Sequence, residues 1–167
     1  MVVAYLAIGS NLGNRELYLR NATLGLQERG IVVVRSASIY ETEPKDLTDQ
    51  PWFLNTVLEV RTEFSAQQLL EACLSIERQN LRVRSLPKSA RTLDMDIVFY
   101  GNHVIHEVGL TIPHPRFAHR NFVLVPMAEL APEFVDPESG ATVQELRNRS
   151  TDSAIVRRAL SGQQLQA

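Results

Sequence analysis

Cysteine is nearly absent from this chain of 167 residues, which contains a single one, Cys73. One cysteine excludes an internal disulfide framework and is typical of a reducing compartment. Cys73 lies in an apolar helical pattern, which favours a core position over a role as a nucleophile. The N-terminus lacks a basic region followed by an apolar stretch, and no apolar run has membrane-spanning length. These features predict a cytoplasmic protein that does not bind a membrane.

An excess of charge of one sign is also missing. The net charge is −2, with 22% charged and 44% hydrophobic residues, which is ordinary for a globular protein. This balance gives no general attraction to nucleic acid, so we expect no nucleic-acid partner. The length suffices for one domain with a core, and no repeat, low-complexity tract or linker divides it. We predict a single domain over residues 1–167 that acts as a monomer on small molecules.

A phosphate-binding loop of the Walker type is absent as well. The turn from Gly9 to Gly13 is too short for one and contains no lysine. Any bound phosphate must therefore be held by metal ions and by cationic side chains. A basic segment offers four such side chains: Arg82, Arg84, Lys88 and Arg91. Each of these side chains, taken alone, is equally compatible with a solvated surface charge and with phosphate binding. Their position directly before a pair of acids favours phosphate binding.

That pair of acids is the most informative feature present. Asp94 and Asp96 begin an apolar run, residues 97–100, that predicts a buried strand. Alternation along a strand puts both carboxylates on one face, with their Cα atoms about 7 Å apart. Acids entering a buried strand need a cation or hydrogen-bond donors, and carboxylates are ligands of hard cations. Further cations follow at His114, Arg116 and Arg120. We predict a magnesium–nucleotide site here; a solvated pair of surface acids is the alternative.

The order of predicted elements indicates an α+β fold. Gly30 is expected to end the first helix, and Ser65–Gln68 has the pattern of a capping box for the second. The pattern predicts strands over Val2–Ile8, Ile31–Tyr40, Phe53–Thr62 and from Asp94, helices over Arg15–Arg29 and after Ser65, and a loop over Glu41–Pro51. This is the βαββαβ order of ferredoxin-like domains, with helices packed on an antiparallel sheet.

A C-terminal extension follows this core. It is predicted to contain a short strand pair near Val104–Ile105 and Leu110–Ile112, a helix over Asn121–Leu130, and a weaker helix over Thr151–Leu160. The helices of the core should cover one face of the sheet, which leaves the other face for loops or for this extension.

The fold alone leaves several functions open. RNA-binding modules use it, but they stack bases on strand aromatics and have a basic balance. Small-molecule regulatory domains use it without needing paired aspartates. Polymerase-type palms use acid pairs with two metals, but a chain of this length offers little room for a duplex. A small phosphotransferase fits the residues best.

These residues resemble one family, 6-hydroxymethyl-7,8-dihydropterin pyrophosphokinase of the folate pathway. The resemblance extends in register from about Val3 to Pro132. It is carried by Ala4–Gly13, Tyr40–Pro44, Gln50–Asn55, Glu77 with Arg82–Arg84, Arg91–Ile97, Ile112–Arg116 and Arg120–Leu124. Its implications are a ferredoxin-like fold and transfer of the terminal diphosphate of ATP to the hydroxymethyl group of a reduced pterin, with release of AMP.

The resemblance also implies a role for individual residues. Asp94 and Asp96 would bind two Mg²⁺ ions that bridge the triphosphate, and Arg82 and Arg91 would complete the catalytic set. The ATP-binding positions would be Glu77, Arg84, Ile97, Thr111, His114 and Arg120. The pterin-binding positions would be Thr42, Phe53, Asn55 and Phe122, with the two aromatic rings flanking the flat heterocycle.

The chain departs from the family before the acid strand. Many members have a Trp-Gly-Pro-Arg run there, whereas this chain has Lys88-Ser89-Ala90-Arg91. The tryptophan that helps to cover the pterin is thus replaced by a lysine, and Pro87 stands where members often have a basic residue. Two rival functions remain: a homologue that binds pterin or nucleotide without turnover, and a two-metal nucleotidyl transferase or nuclease.

Overall fold

The computed structural model describes residues 1–44, 51–80 and 92–159. In chain order the elements are β1 (Val2–Ser10), α1 (Arg15–Glu28), β2 (Val32–Ser36), β3 (Tyr40–Thr42), β4 (Phe53–Thr62), α2 (Ala66–Gln79), β5 (Asp94–Tyr100), β6 (Ile105–Glu107), β7 (Leu110–Ile112), a 3₁₀ turn (Phe117–His119), α3 (Asn121–Leu130), α4 (Val143–Arg149) and β8 (Val156–Arg158). The predicted α+β class, with an antiparallel sheet and helices packed on it, is confirmed.

The main sheet has the strand order β5-β1-β4-β3-β8, with β2 also paired to β4. Every pairing within it is antiparallel. β1 and β4 occupy the middle, and β5, which carries the two aspartates, is at one end of the strand order. The predicted hairpin near residue 105 is confirmed as the separate pair β6–β7.

The predicted strand over Ile31–Tyr40 is wrong as a continuous element, because the structure divides it into β2 and β3. Between them, the backbone N–H and the hydroxyl of Ser38 both donate to the carboxylate of Glu129, at 2.8 and 3.2 Å. A side chain from another element thus replaces the ladder partner. β3 also includes Glu41 and Thr42, which the sequence pattern had placed in a loop.

Local signals determine the two helices of the core. The capping box of α2 is confirmed, since Ser65 Oγ accepts from the Gln68 N–H and Gln68 Oε1 accepts from the Ser65 N–H. α1 ends at Glu28 with Arg29 as its C-cap, and Gly30 follows with a φ of +78°, the left-handed conformation that glycine adopts without strain.

Two apolar cores lie on the two faces of the sheet. The first contains buried side chains of α1 and α2, such as Leu26 and Leu69, together with Leu6 and Ile8 of β1. The second contains Leu124 of α3 and residues of α4, packed against Val57 and the partly buried Ala7. The C-terminal extension therefore covers the second face, as expected. Among the described residues, no helix is long and apolar enough to cross a membrane.

The helix predicted over Thr151–Leu160 is wrong. The structure has helix α4 earlier, and then the strand β8, which pairs with β3. α4 starts at a second capping box, in which Thr142 and Glu145 exchange hydrogen bonds. β8 forms because β3 offers an open edge, and weak helical spacing in a short polar segment does not compete with that pairing.

Candidate functional site

Strand register brings the acid pair and Asn55 to the same face of the sheet. Gly9 of β1 is directly opposite Asp94 on one side and Asn55 on the other. Residues directly opposite in antiparallel strands point to the same face. With strands about 4.8 Å apart, the Cα atoms of Asp94 and Asn55 are separated by roughly 10 Å. One step further along, Ala7 and Val57 continue this face into the second core.

Gly9 keeps the space between these two polar groups open. A Cβ atom on Gly9 would lie 2.5 Å from Asn55 Nδ2 and 3.5 Å from Asn55 Cγ. A contact of 2.5 Å is a clash, so any larger residue here would displace the Asn55 amide. Glycine is therefore required by the position of Asn55, and the surface between Asp94 and Asn55 is free of side chain.

Asn55 is held in one orientation. Its Oδ1 accepts a hydrogen bond of 2.6 Å from the Thr42 hydroxyl, and both residues are buried. Because Oδ1 is committed to Thr42, the Nδ2 group is the one that lies over Gly9. Thr42 is directly opposite Phe53, so these two and Asn55 share the face.

The fourth predicted pterin residue, Phe122, belongs to the helix that covers this face. Phe122 is half-buried at the start of α3 and packs against the second core. The Arg120 guanidinium lies over its ring, 5.4 Å from the centroid. The four predicted pterin positions thus come from β3, β4 and α3, and all border the same side of the sheet.

The outer edge of the acid strand is fixed by two residues predicted to contact ATP. The buried carboxylate of Glu77, on α2, accepts a hydrogen bond of 2.7 Å from the Met95 N–H, between the two aspartates. On the same strand, the Val98 carbonyl accepts from the His114 N–H at 3.1 Å. Both residues therefore lie beside the acid pair. The partly exposed Asp94 and Asp96 keep access to solvent, whereas Met95 is in the core.

His114 is held as a neutral imidazole. Burial, together with the positive charges of Arg120 and Arg116, lowers its pKa from 6.5 to about 4. Its Nδ1 accepts a hydrogen bond of 3.2 Å from the Arg116 N–H. Since one ring nitrogen accepts, the proton of the neutral ring is on Nε2, which is available as a donor.

Two other predicted ATP positions are less direct. Thr111 is half-buried on β7, next to the segment that carries His114. The side chain of Ile97 is buried in the first core, on the face opposite Asp94 and Asp96. A contact between Ile97 and a nucleotide would therefore use its backbone. Arg82, Arg84 and Arg91, and the Lys88–Ala90 segment, lie outside the described residues.

Asp94 and Asp96 fit the donor chemistry of magnesium. They present carboxylate oxygens from alternate positions of one strand, partly open to solvent. No cluster of three or more histidine, cysteine or acidic side chains that could hold a metal occurs in the part of the chain that the structure describes. Mg²⁺ is commonly held by one or two carboxylates and completed by substrate phosphates and water, so two aspartates meet its needs.

An open cavity of about 480 Å³ lies beside β3 and the residues that precede β4, and it was not expected from the sequence. It is lined by Asn11, Leu12, Gly13, Arg15, Glu41, Pro51, Trp52 and Arg157. Arg15 donates to the Trp52 carbonyl at 2.9 Å, and the Arg157 guanidinium lies 4.5 Å from the Trp52 ring centroid. Its walls come from distant parts of the chain, so spacing in the sequence gave no signal for it.

Comparison with known proteins gives a consistent result. Residues 5–132 match the family described as 7,8-dihydro-6-hydroxymethylpterin-pyrophosphokinase (HPPK). The chain is 40% identical to the 2-amino-4-hydroxy-6-hydroxymethyldihydropteridine pyrophosphokinase of Methylorubrum extorquens, with 94% of this chain and 99% of that protein covered. It is 37% identical to the folic acid synthesis protein fol1 of Pneumocystis carinii, with 90% of this chain but only 20% of that protein covered.

Solved structures agree on the fold. The wild-type HPPK-DHPS of Plasmodium falciparum superposes with a TM-score of 0.69 at 15% identity, covering 89% of this chain and 44% of that one. At 15% identity, this similarity supports only the fold.

The chain spans the length of the bacterial relative but about one fifth of the fungal one and less than half of the Plasmodium chain.

Proposed function

This chain belongs to the 7,8-dihydro-6-hydroxymethylpterin-pyrophosphokinase family, and we propose that it transfers diphosphate from ATP to the hydroxymethyl group of 6-hydroxymethyl-7,8-dihydropterin, releasing AMP, in folate biosynthesis. The observation that carries this proposal is the row Asp94–Gly9–Asn55. In this row, the carboxylate that we propose for metal-bound phosphates and the amide that we propose for the heterocycle share one face, and the surface of Gly9 between them has no side chain.

The pterin half of the site rests on hydrogen-bond complementarity. The edge of a pterin presents both hydrogen-bond donors and acceptors. An amide that is already fixed in orientation binds such an edge more tightly than a mobile amide does. Asn55 is fixed by Thr42, with its Nδ2 over Gly9. Phe53, two positions before Asn55 on β4, and Phe122 of α3 are both half-buried, which suits rings that contact a flat ligand. We assign these four residues to the pterin.

The nucleotide half rests on the acids and the neutral His114. We propose that Asp94 and Asp96 hold two Mg²⁺ ions, which when bound would neutralise charge on the triphosphate. The Nε2–H of His114 can donate to a phosphate oxygen at neutral pH without a protonation step. Arg120 lies near it, at the start of α3. Glu77, Ile97 and Thr111 are proposed for the nucleoside part.

The basic segment completes the proposal by family resemblance. Arg82 and Arg91 are assigned to catalysis and Arg84 to ATP binding, as cations that hold the phosphates while the hydroxymethyl oxygen attacks the β-phosphorus. We propose further that residues 1–167 are one pyrophosphokinase domain, monomeric and cytoplasmic, whose partners are ATP and the reduced pterin.

The test is an AMP-release assay with ATP and Mg²⁺, run with and without 6-hydroxymethyl-7,8-dihydropterin. Pterin-dependent AMP formation in equal amount with pterin diphosphate is expected, and chelation of Mg²⁺ should abolish it. Release of pyrophosphate instead of AMP would indicate nucleotidyl transfer. Absence of AMP, with pterin still binding beside a non-hydrolysable ATP analogue, would indicate a homologue that binds without turnover. Either result would contradict the proposal.

A further inference from the structure

The N-terminus of helix α3 is capped by a residue that lies far from the helix in the chain. Its N-cap residue, Arg120, makes no side-chain hydrogen bond to the first turn. Instead, Asp152 Oδ2 accepts from the Asn121 N–H at 2.8 Å, and the Asp152 carbonyl accepts from Asn121 Nδ2 at 3.1 Å. The first N–H groups of a helix need such an acceptor. The acceptor here comes from 31 residues further along the chain.

The same segment is tied to the opposite wall of the pterin site. Residues 152–159, which we term the C-terminal strap, run along β3: the Glu43 N–H donates to the Ile155 carbonyl at 3.1 Å, and the Ile155 N–H donates to Glu43 Oε1 at 2.8 Å. Val156 is then directly opposite Thr42 in the β3–β8 ladder. Thr42 is the residue that orients Asn55.

Two further side chains of the strap, one on each face of the sheet, contact neighbouring elements. Arg158 donates to Glu129 at 3.5 Å, and Glu129 also accepts from the Tyr40 hydroxyl of β3 at 2.5 Å, so α3, β3 and β8 meet at one carboxylate. Arg157 donates to Glu41 at 3.3 Å and lies over the ring of Trp52, the residue before Phe53. The strap therefore contacts α3, β3 and the residue that directly precedes β4.

We infer that the C-terminal strap positions the pterin pocket, with Asp152 as its principal positioning residue. Asp152 fixes the first turn of α3 and with it Phe122, while the β8 pairing fixes Thr42 and, through it, Asn55. The strap thereby sets the distance between the two walls of the pocket, which are Thr42 with Asn55 on the sheet and Phe122 on α3. The heterocycle would bind between these walls. The family match ends at residue 132, so this part of the chain is not covered by it. The inference rests on the proposed function.

The test compares Asp152→Ala with Thr142→Ala, a matched control that removes the cap of α4, which carries none of the proposed site residues. Both variants should lower the melting temperature by a similar amount, about 3 °C, because each loses one helix cap. Only Asp152→Ala should raise the KM for the pterin, by about tenfold. Its KM for ATP should rise less than the KM for the pterin, because Arg120 adjoins the loosened turn whereas Asp94 and Asp96 lie on β5.

Two more measurements separate positioning from general weakening. Asp152→Asn keeps an acceptor oxygen, and asparagine caps helices as well as aspartate, so the pterin KM should return to within about threefold of wild type. Hydrogen–deuterium exchange should increase at the start of α3 in Asp152→Ala and at the start of α4 in Thr142→Ala.

The outcomes distinguish this inference from the proposed function. A wild-type protein that forms no AMP would refute the function, whatever the exchange data show. An active wild type, with equal rises in both KM values for Asp152→Ala, or unchanged exchange in α3, would overturn the strap inference alone. The same pterin-specific rise in Thr142→Ala would also overturn it, because it would show that any lost cap has this effect.

Discussion

The two faces of the sheet differ although the same strands form both. On the first face, Leu6 and Ile8 of β1 and Met95 of β5 form a continuous buried apolar surface under α1 and α2. On the second face, apolar packing ends at Ala7 and Val57, and polar groups follow. The apolar part of the first face contributes mainly to stability. The second face has less apolar burial at one end, which is where we propose that the ligands bind.

The largest effect should come from the acid end of the second face. Asp96→Ala should lower kcat/KM by about 10³-fold or more, because the metal ion proposed there would supply several kcal/mol of charge stabilisation, and each 1.36 kcal/mol is tenfold in rate. Steady-state AMP release measures this, and circular dichroism checks that the variant folds. A kcat/KM within tenfold of the wild-type value would show that Asp96 does not bind the metal ion.

The first face should show the opposite behaviour. Leu26→Ala, fully buried in α1, should lower the free energy of unfolding by about 3 kcal/mol, as large-to-small core changes do. Denaturant unfolding measures this. Its kcat/KM below the unfolding transition should be within twofold of wild type. A selective loss of pterin or ATP affinity would show that the two faces are not independent.

Two glycine substitutions test the difference between the two faces of the sheet. Gly9→Ala puts a methyl group 2.5 Å from Asn55 Nδ2, whereas Gly25→Ala in α1 puts one 3.0–3.2 Å from the Ile76 side chain. Gly9→Ala should weaken pterin binding by about tenfold, corresponding to one lost hydrogen bond. Gly25→Ala should alter the melting temperature alone. Isothermal titration in the presence of an ATP analogue measures the affinities, and equal losses in both variants would contradict the assignment of Asn55.

The smallest effect concerns protonation of His114. Its folded pKa of about 4 is below the ordinary 6.5, so between these values the unfolded chain binds a proton that the folded chain does not. Stability should therefore fall as pH is lowered from about 7 to 4, with about 1 kcal/mol due to this residue after allowance for its partial exposure.

The measurement is denaturant unfolding at several pH values. His114→Gln should reduce the loss between pH 7 and 4, because glutamine does not titrate. His106→Gln, on the separate β6–β7 hairpin, is the control for loss of an imidazole elsewhere. An unchanged pH dependence in His114→Gln would contradict the lowered pKa.

The features that could be predicted from the sequence are those encoded by near neighbours. The capping box at Ser65, the glycine after α1 and the alternation of Asp94 and Asp96 each depend on residues within about four positions of one another. The features that were missed depend on distant partners. Ser38 breaks the second strand by bonding a carboxylate 91 residues away, and β8 forms by pairing with an edge more than 110 residues earlier.

The residues of the candidate site also fall into two groups, those predicted from near neighbours and those that depend on distant partners. The acids were predicted from their own strand, and the pterin residues only through a family resemblance, because Thr42, Asn55 and Phe122 have no shared local pattern. What brings them together is strand register and a helix cap from residue 152, neither of which has a periodicity to detect. Glu129 and Asp152 could not be found from composition or spacing.

The bond between Glu77 and the acid strand has a consequence for self-association. A strand at the end of a sheet offers unpaired N–H and C=O groups on which another chain can add, and β5 is rich in the residues that form such pairs. The Glu77 carboxylate occupies the Met95 N–H, and the His114 N–H occupies the Val98 carbonyl. The contacts that fix the site therefore also discourage the acid strand from joining its counterpart in a second molecule, so losing them would favour aggregation.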